Sequence, residues 1–165
     1  LLAATTGMRQ GEVLALRTGD LYPDHVHVKH SWSIKYGLGP TKDKEERDIP
    51  LAGFVYAILQ SFLRWEGFVF SFTNGERPAS GNRMTTALYS ALKVIKINEA
   101  ERKDRNITFH GWRHFYNTYL RNAGVADTKI RAVTGHDTPD IQDRYTHFEL
   151  EHYQDIAAAI EKLID

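Results

Sequence analysis

The apolar positions along this chain change period several times, and each change marks an element. Leu1-Leu2-Ala3-Ala4-Thr5-Thr6-Gly7 reads as the end of one helix running into a turn, and a second helix starts at Arg9 with Val13, Leu14 and Leu16 as its core stripe. From residue 20 to residue 50 the period drops to two. His25-Val26-His27-Val28-Lys29-His30 alternates, Gly37, Gly39 and Pro40 mark a turn, and Arg47-Asp48-Ile49-Pro50 follows. Helical spacing returns from Leu51 to Trp65, with Phe54, Val55, Ile58, Leu59, Phe62 and Leu63 facing inward. Phe68-Val69-Phe70 reads as a short buried extended segment, and Asn74-Gly75 as a turn. A further long helix is expected from Thr85 to Ile97, with Leu88, Leu92 and Ile95 inside and Lys93 and Lys96 outside, before a charged loop from Glu99 to Asn106.

The last third is punctuated like short helices joined by turns. Gly124 can take the left-handed position that ends a helix begun near His110, and Asp127 is placed to cap the next one. Gly135 closes that helix and leaves His136 in the turn, after which Thr138-Pro139 supplies a cap and a first-position proline. Tyr145 falls two turns further on. From Glu149 to Ile164 the pattern is again amphipathic, with Tyr153, Ile156, Ala157, Ile160 and Leu163 on one side.

At 165 residues, with 42% apolar and 25% charged content, the chain fits one globular domain. It has no cysteine, which excludes disulfides and cysteine-based zinc sites. No apolar run approaches the roughly 18 to 20 residues that span a bilayer, so the simplest compartment is cytoplasmic. The formal net charge is zero, but it is unevenly spread: residues 93 to 131 hold nine Lys and Arg against four Asp and Glu, and residues 132 to 165 hold two against eight. Basic charge therefore gathers before and through the segment around His110.

That segment carries the chemistry. His110 and Arg113 stand three apart, on one face of a helix. Arg113 offers a planar fork of donors to a phosphate, and His110 exchanges a proton near neutral pH. Tyr145 is a candidate nucleophile. Arg9 and Glu12, one helical turn apart, would by themselves be an ordinary surface ion pair. Phe109 and Trp112 are expected to pack their helix into the core rather than stack on bases. His25 and His27 share a strand face with His30 nearby, yet nothing suggests a fourth metal ligand, and they read as ordinary strand residues.

Taken in order, Thr6-Gly7-Met8-Arg9, Thr41-Lys42, His110-Gly111-Trp112-Arg113, Gly135-His136 and Tyr145 resemble the tyrosine recombinase, or phage integrase, family over nearly the whole chain. The resemblance implies the catalytic domain of that family, a mainly helical α+β fold with a small antiparallel sheet. It implies a site-specific recombinase that cleaves and rejoins DNA through a 3′-phosphotyrosine. Tyr145 would be the nucleophile and Arg9 and Arg113 the phosphate clamp. Lys42, with Lys44 as runner-up, would be the acid for the leaving 5′-oxygen. His110 would assist proton transfer, and His136 would bond the phosphate or position its neighbours. Glu12 would orient Arg9. No cofactor or metal is implied, since cationic side chains take the part of a metal ion. The implied partners are double-stranded DNA, a homo-tetramer assembled on it and accessory proteins, with no membrane. In the family a helix like that of residues 149–165 docks on a neighbouring subunit; packing on its own domain is the alternative. The abrupt start at Leu1 suggests a fragment without the family's N-terminal DNA-clamping domain. The rivals are a type IB topoisomerase, which shares this chemistry, and a DNA-binding module that has kept the fold without catalysis.

Overall fold

The computed structural model describes residues 1–42, 44–63, 65–135 and 149–163. Helix α1 (Leu2–Thr6) stops at Gly7, whose φ of 65° is the left-handed conformation a glycine adopts without steric penalty. Helix α2 (Gln10–Ala15) follows at once, with Arg9 as its N-cap. It lies close against the strands, because a Cβ on Gly11 would stand 2.4 Å from Ser31 Oγ and 2.8 Å from the Trp32 carbonyl oxygen.

After a 3-10 turn at Thr18–Asp20 come strands β1 (His25–Val28), β2 (His30–Ser33), β3 (Gly37–Pro40) and β4 (Arg47–Pro50). Among the described residues they form two antiparallel pairs, β1 with β4 and β2 with β3. The alternation read from the sequence is real: Val26 and Val28 are buried, while His25 and His27 point the other way. His27 Nδ1 lies 2.7 Å from Asp48 Oδ1 and its Nε2 3.1 Å from Glu46 Oε2. No cluster suited to a metal ion occurs among the described residues.

Helix α3 (Gly53–Phe62) buries Val55 and Leu59 but leaves Ile58 largely exposed. Helix α4 (Gly81–Val94) begins before the expected Thr85, because the Ser80 hydroxyl caps it by accepting the Arg83 amide at 3.3 Å. Leu92 is buried as expected, whereas Ile95, expected inside, lies past the helix end and is 65% exposed. The expected charged loop is instead helix α5 (Glu99–Asp104). Its signals are local: Asn98 accepts the Glu101 amide at 2.9 Å, and Glu99–Lys103 and Glu101–Arg105 pair at 2.8 Å one turn apart.

Helix α6 (Gly111–Asn122) is the central element, with Tyr116 and Leu120 fully buried, and it packs beneath α1. Helix α7 (Asp127–Thr134) ends at Gly135, φ 61°, as the sequence suggested. Its N-cap is Ala126 rather than Asp127, whose carboxylate takes the Arg121 Nε–H at 2.7 Å. A 3-10 turn at Leu150–Tyr153 leads into α8 (Gln154–Glu161). Ile156, Ile160, Tyr153 and Ala159, the last in place of the expected Ala157, join the core of this same chain. Tyr119 Oη donates to the Ala159 carbonyl at 2.9 Å, and Lys129 pairs with Asp155 at 2.8 Å. The apolar stripe of α8 thus packs on the core of this chain. No helix among the described residues is long and apolar enough to cross a membrane.

Candidate active site

Three separate elements deliver the site. Arg113, in the first turn of α6, is 2% exposed, and its Nη1 donates to the Gly7 carbonyl at 2.9 Å and its Nη2 to the Gly135 carbonyl at 3.4 Å. Arg9, at the start of α2, sends its own Nη2 to that same Gly135 oxygen. The left-handed turns at Gly7 and Gly135 therefore do more than end α1 and α7: they turn carbonyl oxygens toward the arginines. Two guanidinium forks aimed at one oxygen form an arrangement that an oxygen of a phosphate can also satisfy. Of the two, Arg9 is the more accessible, its side chain 22% exposed.

Arg9 is held from behind. Glu12, 1% exposed, takes the Arg9 backbone amide at 2.8 Å on one carboxylate oxygen and Arg9 Nη1 at 3.1 Å on the other. This is no ordinary surface pair. A buried carboxylate needs compensating charge, and removing one partner from such a pair typically costs about 3–5 kcal/mol. The compensation is shared with Arg47 on β4, whose Nη2 donates to Glu12 Oε2 at 2.8 Å while its Nε donates to the Val133 carbonyl at 2.8 Å. Sequence reading missed Arg47, which stands in a charged run with nothing local to single it out.

His110 is the N-cap residue of α6, its ring edge to face with His114 at a centroid separation of 4.9 Å. Its pKa lies below the usual 6.5, first through partial burial and then through the positive charges of His114, Arg113 and Arg9. A neutral imidazole at this position can accept a proton. Phe109 packs against the core as expected, and Trp112 is 37% exposed; both line an apolar cavity of about 240 Å³ with Leu2, Val13 and Leu59.

Arg9 and Arg113 are thus brought together, and His110 stands at the head of the helix that carries Arg113. Lys42 stands exposed in the connection between β3 and β4, and Lys44, exposed as well, has a φ of 58°. His136 and Tyr145 lie outside the described residues, but Gly135, on which the arginines converge, is the residue immediately before His136.

The phage integrase family profile matches residues 1–152. The chain belongs to the phage integrase family. Among curated proteins it is 30% identical over 148 residues to a shufflon-specific DNA recombinase of Escherichia coli, covering 88% of this chain and 33% of that protein. It is 26% identical over 184 residues to the integrase of Staphylococcus phage L54a, covering 98% of this chain and 50% of the phage protein. The chain thus spans between a third and a half of these phage integrase relatives. Among solved structures, the Tn1549 transposon integrase in complex with transposon right end DNA superposes with a TM-score of 0.66 at 22% identity, over 99% of this chain and 57% of that one. The integrase catalytic fold expected from the sequence is therefore present: mainly helical, with small antiparallel strand pairs.

Proposed function

We propose that the protein containing this chain is a site-specific DNA recombinase that breaks and rejoins strands through a phosphotyrosine. The observation that carries the reading is the convergence of Arg9 and Arg113 on one oxygen, with His110 in their field. Preorganised donors of this kind stabilise the charge that builds on a phosphate as it is attacked. Tyr145 attacks the scissile phosphorus, its hydroxyl proton passing to His110; the bond to the 5′-oxygen breaks, and Lys42 supplies that oxygen with a proton, leaving a 3′-phosphotyrosine and a free 5′-hydroxyl. His136 bonds the phosphate or holds its neighbours. Reversal of the same steps with a new 5′-hydroxyl rejoins the strands. The recombinase and integrase names of the relatives support this over DNA relaxation alone. The partners are double-stranded DNA in the cytoplasm, three further copies of the protein on it, and accessory proteins.

The test is incubation of the full-length protein with nicked duplexes tiling the DNA that flanks its coding region, followed by denaturing electrophoresis for a covalent adduct. Tyr145→Phe should bind the same duplex and form none. An adduct that survives this change, or that maps to Tyr119 or Tyr153, would overturn the assignment.

A further inference from the structure

We propose that Arg47 is a positioning residue for the arginine centre, acting on Arg9 through the shared carboxylate of Glu12. The proposal rests on the recombinase reading for its consequence in catalysis, although the interaction itself does not. Among the described residues Glu12 links the two cations: one oxygen takes Arg9 Nη1 at 3.1 Å, and the other takes Arg47 Nη2 at 2.8 Å. With 1% of its surface exposed, that carboxylate has little recourse to water. When Arg9 turns part of its donor capacity toward an incoming phosphate, Arg47 is the cation that remains to compensate Glu12 and keep it in place.

Arg47 is built for this rather than for contact with substrate. Its side chain is 11% exposed, and its guanidinium bonds run inward, to Glu12 and to the Val133 carbonyl at 2.8 Å. Val133 stands two residues before Gly135, the common acceptor of Arg9 and Arg113, so one guanidinium fixes both the support of Arg9 and the end of the helix that presents its acceptor. Arg47 also begins β4, five residues after Lys42. It thereby ties the strand that leaves the lysine's turn to the arginine centre. A planar fork is needed, because Nε and Nη2 serve two acceptors on different elements; a lysine offers only a point charge.

The experiment uses the full-length protein with Arg47→Gln, Arg47→Lys, Glu12→Gln and the Arg47→Gln/Glu12→Gln pair, on whichever nicked duplex gives an adduct with the parent. Arg47→Gln should slow adduct formation at saturating DNA by about tenfold or more, as displacement of a reacting group does, while the Kd for the duplex moves by less than about twofold. The double variant should be no slower than Glu12→Gln alone, since both changes act along one route. Arg47→Lys should fall between parent and Arg47→Gln, and it carries the same readouts if Arg47→Gln does not fold. A rate per folded molecule within about twofold of the parent in Arg47→Gln, or single effects that multiply in the double variant, would overturn the proposal. Without DNA, the nitrogen-15 signals of the Arg9 guanidinium should broaden in the Arg47 variants; unchanged signals overturn the proposal too. If the parent forms no adduct with any duplex, it is the recombinase reading that fails, and these signals still decide the role of Arg47.

Discussion

Arg9 and Arg113 donate to the same atom, the carbonyl oxygen of Gly135, from helices that are far apart in the chain. Two like charges held so close need anions and dipoles around them. Glu12 supplies the first behind Arg9, and the Gly7 carbonyl the second behind Arg113. The result is a pair of guanidinium forks already aimed at one oxygen.

Arg113→Lys should therefore impair the site although it keeps the charge. A lysine cannot bridge the Gly7 and Gly135 carbonyls as a fork does, so single-turnover cleavage should fall by about 10²- to 10³-fold. One buried carbonyl would also lose its donor, lowering stability by about 1–3 kcal/mol in urea titration. Parent-like cleavage would place Arg113 outside the phosphate site.

Gly7→Ala tests the turn that aims one of those carbonyls. Its φ is +65°, and a Cβ there would stand 2.5 Å from Tyr116 Cδ1, on a ring that is fully buried and has no room to retreat. The left-handed conformation alone costs a non-glycine residue about 1–2 kcal/mol, and the clash adds to it. A clear drop in melting temperature is expected, together with weaker cleavage; an unchanged melting temperature would show that α1 and α6 can separate at little expense.

Removal of everything after Phe148 distinguishes packing in cis from docking on a neighbour. Ile156 and Ile160 are each at most 1% exposed, and burial of such a side chain is worth about 1.5–3 kcal/mol. The truncated domain should lose several °C or fail to fold as a free monomer, as measured by circular dichroism. Near-parental melting with loss only of higher-order complexes on DNA would instead favour the docking role.

The pH behaviour of His110 has a definite sign. Its pKa is depressed from 6.5 in the folded protein, so its neutral, proton-accepting form persists as pH falls below that value. The same depression means that the stability it contributes is present above pH 6.5 and is lost as pH falls through the folded value. His114→Asn removes one of the positive neighbours, and the His110 titration followed by NMR of its Cε1–H should move up toward 6.5. No movement would mean that burial and the arginines alone set it.

Much of this was legible in the chain because it depends on neighbours within a few residues. Gly7, Gly124 and Gly135 end helices through their own backbone freedom, the valines of β1 alternate because a strand's side chains do, and the order of Arg9, Lys42, His110, Arg113, His136 and Tyr145 needs no folding to be read. Helix α5 was equally local but missed, since its cap and charge pairs leave no apolar period. Other features belong to tertiary structure alone. That Glu12 is buried, that Arg47 stabilises it, that Arg113 is enclosed while Arg9 stays accessible, and that α8 fills its own core rather than standing free all depend on contacts between distant parts of the chain. Arg47 meets Glu12 across 35 positions, Arg113 reaches Gly7 across 106 and Arg9 reaches Gly135 across 126. No local pattern encodes such pairings, because the burial that gives them their strength exists only once the helices and strands have closed over them.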